Sequence, residues 1–217
     1  MAQEAQVPGN PDEDWVRPGR EVLREEIRYA QALAPDIQTK LSVIAEIRER
    51  ARAGGVSAED KNVLRVLRYL AGEGTLTMKR NQILPAANFP EARRSSCETL
   101  GYIGGEASRE ILLSVLKTDT EPMVLSEAAV ALGKITPTPD EEIISVFMNL
   151  LKTKVLAPGA DNNLAMALLG TLDKFAGSRA GLRDENLFRC LMRILDAPLM
   201  PVVRQKARAL IEKMKGF

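Results

Sequence analysis

Apolar positions in this chain fall into two alternating kinds of helical pattern. Four segments align without gaps: PEARRSSCETLGYI from Pro90, PMVLSEAAVALGKI from Pro122, NNLAMALLGTLDKF from Asn162 and PVVRQKARALIEKM from Pro201. Their third positions are Ala92, Val124, Leu164 and Val203, and their seventh are Ser96, Ala128, Leu168 and Ala207. The eleventh are Leu100, Leu132, Leu172 and Ile211, and the fourteenth are Ile103, Ile135, Phe175 and Met214. These spacings place one stripe on one face of a helix, small in the middle and large toward the end.

Between these segments lie SREILLSVLKTD, DEEIISVFMNLLKT and DENLFRCLMRILDA. Each starts near a Ser or Asp cap and is apolar at i, i+3, i+4 and i+7. The chain therefore alternates an apolar helix, a short turn, a small-residue helix and another turn. Such a unit cannot bury its own face alone, so it must stack on its neighbours.

The N-terminal part is less regular. Residues 1–18 carry Pro8, Pro11, Pro18 and the acids Asp12, Glu13 and Asp14, and read as an extended arm. REVLREEIRYAQAL then sets Val22, Leu23, Ile27, Ala30 and Leu33 on one helical face. Pro35 breaks that helix and Asp36 is placed to cap the next, which Gly54 and Gly55 end. Ser57 with Asp60 resembles a capping box before a third helix. The expected organisation is an arm over 1–18, a degenerate helical region over 19–72 in which 36–72 read as one helix pair, an irregular connection with a short helix over 73–89, and regular repeats over 90–217.

The segment SREILLSVLKTDTEPMVLSEAAVALGKI resembles a HEAT repeat, in its loop Asp119, helix-starting Pro122, Val124, Ala128 and the Leu132-Gly133 pair. FRCLMRILDAPLMPVVRQKARALIEKM is similar, with Asp196, Pro201, Val203-Arg204 and Ala207; FPEARRSSCETLGYIGG carries Pro90, Arg93 and Leu100-Gly101. The Asn162 segment departs most, lacking the proline and placing Asp173 where the others have Gly or Glu. The resemblance implies a right-handed all-α solenoid of about five helix pairs, an armadillo-type fold serving as scaffold, adaptor or complex subunit. It also implies that Arg93 and Arg204 bond loop aspartates of neighbouring repeats, with Asp119 and Asp196 as their partners.

Composition narrows the chemistry. Apolar residues are 45% of the chain and aromatics only 4%, which suits closely packed aliphatic helices. Thirty Lys and Arg against 29 Asp and Glu leave no cationic excess for coating nucleic acid. Histidine is absent, removing the usual general base and metal ligand, and no catalytic constellation is recognisable. Cys97 and Cys190 sit inside apolar patterns and read as buried packing residues. The expectation is a non-enzyme without cofactor or metal, binding one or more proteins rather than nucleic acid or a small molecule. Two enzyme classes use such scaffolds, bilin lyases and DNA glycosylases, and they form the alternative. No apolar run reaches a membrane-spanning length, and the polar opening reads as cytoplasmic. An exported protein whose signal peptide has been removed is the alternative.

Two columns are candidate docking surfaces. The thirteenth positions, Tyr102, Lys134, Lys174 and Lys213, form an exposed and mostly basic column that fits an acidic partner segment. Lysines near helix C-termini are also favoured by the helix dipole. The fifth positions, Arg94, Ser126, Met166 and Gln205, form a chemically mixed column. Trp15, the single tryptophan, reads equally as an anchor for a partner or as a cap over the end of the stack.

Overall fold

The computed structural model describes residues 11–75, 88–177 and 182–215, and among these every regular element is helical. In chain order they are α1 (Pro11–Ala32), α2 (Ile37–Arg52), α3 (Lys61–Gly72), α4 (Pro90–Ile103) and α5 (Gly105–Thr118). There follow α6 (Pro122–Ile135), α7 (Glu141–Leu150), α8 (Asn162–Ala176), α9 (Glu185–Leu195) and α10 (Pro201–Lys215).

Local chemistry sets most of these ends. Asp36, Asp60, Asp140, Asp161 and Asp184 each turn a carboxylate back onto a free amide of the first turn, at Thr39, Val63, Ile143, Leu164 and Leu187. Pro90 and Pro122 open α4 and α6, where the missing N–H costs nothing. The third helix is capped by Asp60 itself, not by a Ser57 box. The Ser57 hydroxyl instead accepts from the amide of Glu59 at 3.2 Å, one turn too early to cap the helix. Between α4 and α5 the chain turns through Gly104 and Gly105, both at positive φ. A Cβ on Gly105 would lie 2.7 Å from that of Ala58, so the corner also needs a residue without one.

The even-numbered helices pack one on the next, α2 on α4, α4 on α6, α6 on α8 and α8 on α10. The odd-numbered helices form a second row in the same order, from α1 against α3 to α7 against α9. Across the rows α1 meets α2, α3 meets α4, α5 meets α6 and α9 meets α10, while α7 reaches α8 through its last turn. The described residues thus form an α-solenoid of five helix pairs with one continuous core of Leu, Ile, Val and Ala between the rows. Each fully buried Leu, Ile or Val adds about 1.5–3 kcal/mol, so the repeated stripe is the main stabilising term.

Three features differ from the sequence expectation. Residues 11–18 belong to α1 instead of an extended arm: Pro11 suits a first helical position and Asp12, Glu13 and Asp14 follow it where the helix dipole favours acids. Residues 1–10, and most of the connection expected over 73–89, lie outside the described residues. The pairing is also offset by one helix: α2 and α3 are not partners, because α2 completes the first pair and α3 opens the second, which α4 completes.

Two local features bear on packing. Beyond Leu150, α7 continues as a π-helical turn, Leu151–Val155, in which the amide of Leu156 bonds the carbonyl of Leu151 and both Leu151 and Val155 are buried. In the even row, a Cβ on Gly101 would sit 3.0 Å from that of Ala131. One on Gly133 would lie 2.6 Å from Cγ2 of Thr171, whose hydroxyl donates to the Ala129 carbonyl at 3.1 Å and is therefore held in place.

Gly133→Ala should accordingly destabilise the protein by about 1–3 kcal/mol in urea titrations, as overpacking does. Thr171→Ser in the same chain removes the obstructing methyl group, keeps the hydroxyl, and should restore most of the loss.

Candidate functional site

The buried polar groups of the stack come first, because they decide which cations are left for a partner. Arg93, fourth in α4, is buried and donates from Nε to Asp119 Oδ2 at 2.6 Å and from Nη2 to Oδ1 at 3.3 Å. Its Nη1 donates to Asn88 Oδ1 at 2.6 Å and to the Glu73 carbonyl at 3.3 Å. Asp119 closes α5, and its Oδ1 also accepts the amides of Thr120 and Glu121 at 2.7 and 2.9 Å. The second pair is thereby locked to the third.

The same device occurs one repeat earlier in different residues. Lys40, fourth in α2, is wholly buried, and its ammonium donates to Glu73 Oε1 at 2.9 Å and to the Ala32 carbonyl at 2.6 Å. It also lies 5.4 Å from the ring centre of Tyr69 and 5.9 Å from that of Phe89. Glu73 follows α3 as Asp119 follows α5, and it takes a third bond from the Tyr69 hydroxyl at 3.1 Å. Burial and the neighbouring Glu73 carboxylate push the Tyr69 phenol up to about 12, so it stays a donor at any physiological pH. Lys40, Glu73, Arg93 and Asp119 make one chain of polar bonds through three helix pairs.

Sequence reasoning missed Lys40 and Glu73. The signal was there: numbering α2 from Ile37 puts Lys40 in the place of Arg93. Arg204 and Asp196 do not form the equivalent pair. Both are exposed, and no ion pair joins them among the described residues. The device runs forward, from an even-row helix to the loop acid of the following pair, whereas Asp196 precedes Arg204 within one pair. The corresponding places in α6 and α8 are Leu125 and Ala165, both fully buried.

The thirteenth residues of α4, α6, α8 and α10 are all exposed on the even row. Tyr102 lies between two cations. Arg52 donates to its hydroxyl at 3.0 Å and stands 4.7 Å from the ring centre, and the Lys134 ammonium lies 5.3 Å from that centre on the next helix. Arg48 and Arg52 are held by Glu98 at 2.9 and 3.4 Å. Lys213 bonds Asp173, which also accepts from Lys206 at 2.7 Å. Burial alone would raise the Asp173 pKa, but these two ammonium groups overcome it and hold the carboxylate below its usual range. Lys134 and Lys174, on adjacent helices, carry no ion pair among the described residues.

The fifth positions are less coherent. Arg94 approaches Glu127 at 3.6 Å, and the Ser126 hydroxyl donates back to the Pro122 carbonyl at 2.7 Å. Both line a shallow cleft of about 290 Å³ with Met123, Val130, Asp161 and Asn163. Met166 is half-buried and Gln205 exposed, and neither lines that cleft. Trp15 lies within α1, and its side chain is outside the described residues.

Cys97 and Cys190 are free and buried, and burial pushes both thiols up, away from the reactive thiolate. Among the described residues no three His, Cys, Asp or Glu groups gather as a metal site, and no helix is long and apolar enough to cross a membrane.

Residues 79–158 match the family model of HEAT repeats, spanning α4 to the π turn and stopping just before the aberrant Asn162 segment. No curated protein matches the chain.

Arg93→Met should cost about 3–5 kcal/mol in urea unfolding, because it strands a buried carboxylate, whereas Arg204→Met should stay within about 0.5 kcal/mol. Asp173 has a depressed folded-state pKa, so its contribution is present above the ordinary carboxylate value and disappears as pH falls through the depressed one. The melting-temperature gap between wild type and Asp173→Asn should therefore be widest above about pH 4 and close in stronger acid.

Proposed function

The chain belongs to the HEAT-repeat family, and on that premise we propose that it is a non-catalytic scaffold or accessory subunit that binds a partner protein along its even-numbered helices. HEAT repeats are in general protein-interaction modules, and a stack of helix pairs offers regular columns of side chains without a deep reaction chamber. One observation carries the finer reading. Lys134 and Lys174 are exposed on neighbouring helices with no ion pair among the described residues, Lys134 standing beside the ring of Tyr102, while nearby Lys206 and Lys213 both bond Asp173.

The partner segment is acidic. Packed helices stand about 8–10 Å apart, and a segment in the extended polyproline-II conformation turns the same face outward every third residue, about 9.3 Å on, so carboxylates at every third residue meet successive lysines. Tyr102 adds an amphipathic surface at one end of the strip. The lysines speed encounter more than they add affinity, which gives the interaction a strong salt dependence. Neither the family match nor the geometry lends support to a pigment-lyase or DNA-glycosylase role.

The test uses an extended peptide with Glu at every third residue, followed by fluorescence anisotropy. Lys134→Glu with Lys174→Glu should weaken binding about tenfold or more at low salt and flatten its salt dependence. Unchanged binding by that double variant would remove the basic strip from the function. Native-extract pull-downs with both chains then identify the protein whose capture depends on these lysines.

A further inference from the structure

Every odd-row helix after α1 buries its apolar stripe, but α1 does the opposite. Val22 is 64% exposed, Leu23 61%, Ile27 48% and Leu33 47%, while the stack covers Ala32 and partly covers Glu25, Arg28 and Tyr29. The covered side is the polar one: Arg28 bonds Glu25 and, at 2.8 Å, Glu46 of α2. Four large aliphatic side chains spread over three turns, about 17 Å of helix, are left facing water.

Alongside runs a cleft of about 530 Å³ where α1, α3 and the start of α5 meet. Tyr29, Leu64, Tyr69 and Ala107 give it an apolar lining, and Lys61, Arg65 and Arg68 line it with charge. These three cations stand at i, i+4 and i+7 of α3, on one face. The Arg65 guanidinium lies 3.6 Å from the ring centre of Tyr29, which fixes its plane. The acids nearby neutralise them poorly: Glu26 is 3.6 Å from Arg65 and Glu110 is 3.9 Å from Arg68, with all four side chains at least half exposed. Lys61 has no ion pair among the described residues.

From this juxtaposition we infer that the α1–α3 face is a second docking surface, on the opposite row from the basic strip, and that its occupant is an acidic amphipathic helix of a partner protein. The partner's apolar face covers Val22, Leu23, Ile27 and Leu33. Its flanking carboxylates, one turn apart, meet Lys61, Arg65 and Arg68, since helices lying side by side share the 5.4 Å pitch. A second copy of this chain is the wrong occupant. Arg24, Lys61, Arg65 and Arg68 outnumber Glu26 and Glu110 on this surface, so self-pairing sets cations against cations.

The probe is a labelled helical peptide with Leu at i, i+3, i+4 and i+7 flanked by Glu, compared with the same peptide carrying Lys for Glu. Anisotropy with the full chain should show the Glu peptide binding about tenfold more tightly than the Lys peptide, the effect of two or three exposed charge pairs. Lys61→Glu with Arg68→Glu should reverse the preference. Leu23→Glu with Ile27→Glu should abolish binding of both peptides without lowering the melting temperature, since the replaced side chains are exposed. Lys134→Glu with Lys174→Glu should leave this binding unchanged, which separates it from the strip on the other row. Equal binding of the two peptides, or no binding of either, would overturn the inference. So would a wild-type dimer in sedimentation that Leu23→Glu with Ile27→Glu dissolves, which would give the face to a second copy.

Discussion

A buried cation in an even-row helix must find an anion in the loop of the next helix pair, and this requirement orders the N-terminal half of the stack. Lys40 reaches forward to Glu73, and Arg93 reaches forward to Asp119 and touches the backbone at Glu73. The apolar stripe explains why the helices stack, but apolar surfaces slide at little cost. A charge with one acceptable partner does not. Removing either member leaves an unpaired ion in a low-dielectric interior, so the pairs fix the offset between successive repeats even where their net stabilisation is small. From Leu125 onward this constraint is gone, and aliphatic packing with the tight approaches at Gly101 and Gly133 sets the register instead.

The two rows end up with different surfaces. On the even row, intramolecular acids engage four cations, Glu98 holding Arg48 and Arg52 and Asp173 holding Lys206 and Lys213. What remains open there is a narrow feature around Tyr102, Lys134 and Lys174. On the odd row the exposed apolar side chains gather at the first helix, bordered by α3 cations, with Met192 of α9 standing apart from them. A stack whose interior is uniform from pair to pair thus carries its individuality in loops, caps and outermost helices, where no neighbouring repeat dictates the residue.

Much of this was legible in the residues. The alignment of Pro90, Pro122, Asn162 and Pro201 defined the even row from α4 to α10, because a small residue at the seventh position in three of the four, and large ones at the eleventh and fourteenth in all, reflect one packing geometry. The link of Arg93 to Asp119 came from the family resemblance. What escaped had identifiable reasons. Lys40 sits in a helix with no proline start and Val43 and Ile44 near its middle, so its equivalence to Arg93 emerges only when helix starts are aligned. For Arg204 and Asp196 the resemblance supplies the residue types but not the direction, because the observed pairs run forward to the following repeat. The stripe of α1 follows the same period as a buried stripe, and periodicity alone does not say which side of a helix the rest of the protein covers.

The π turn after α7 has a consequence for how such a chain changes length. A five-residue backbone ring accommodates one residue more than an α-turn, and here it does so with Leu151 and Val155 both pointing inward. The surplus is absorbed inside a helix, leaving the connections before Glu141 and after Leu156 untouched. Deleting one residue there would convert the wide turn to an ordinary one without shortening either loop, so the repeat can drift in size at this site while its neighbours keep their phase.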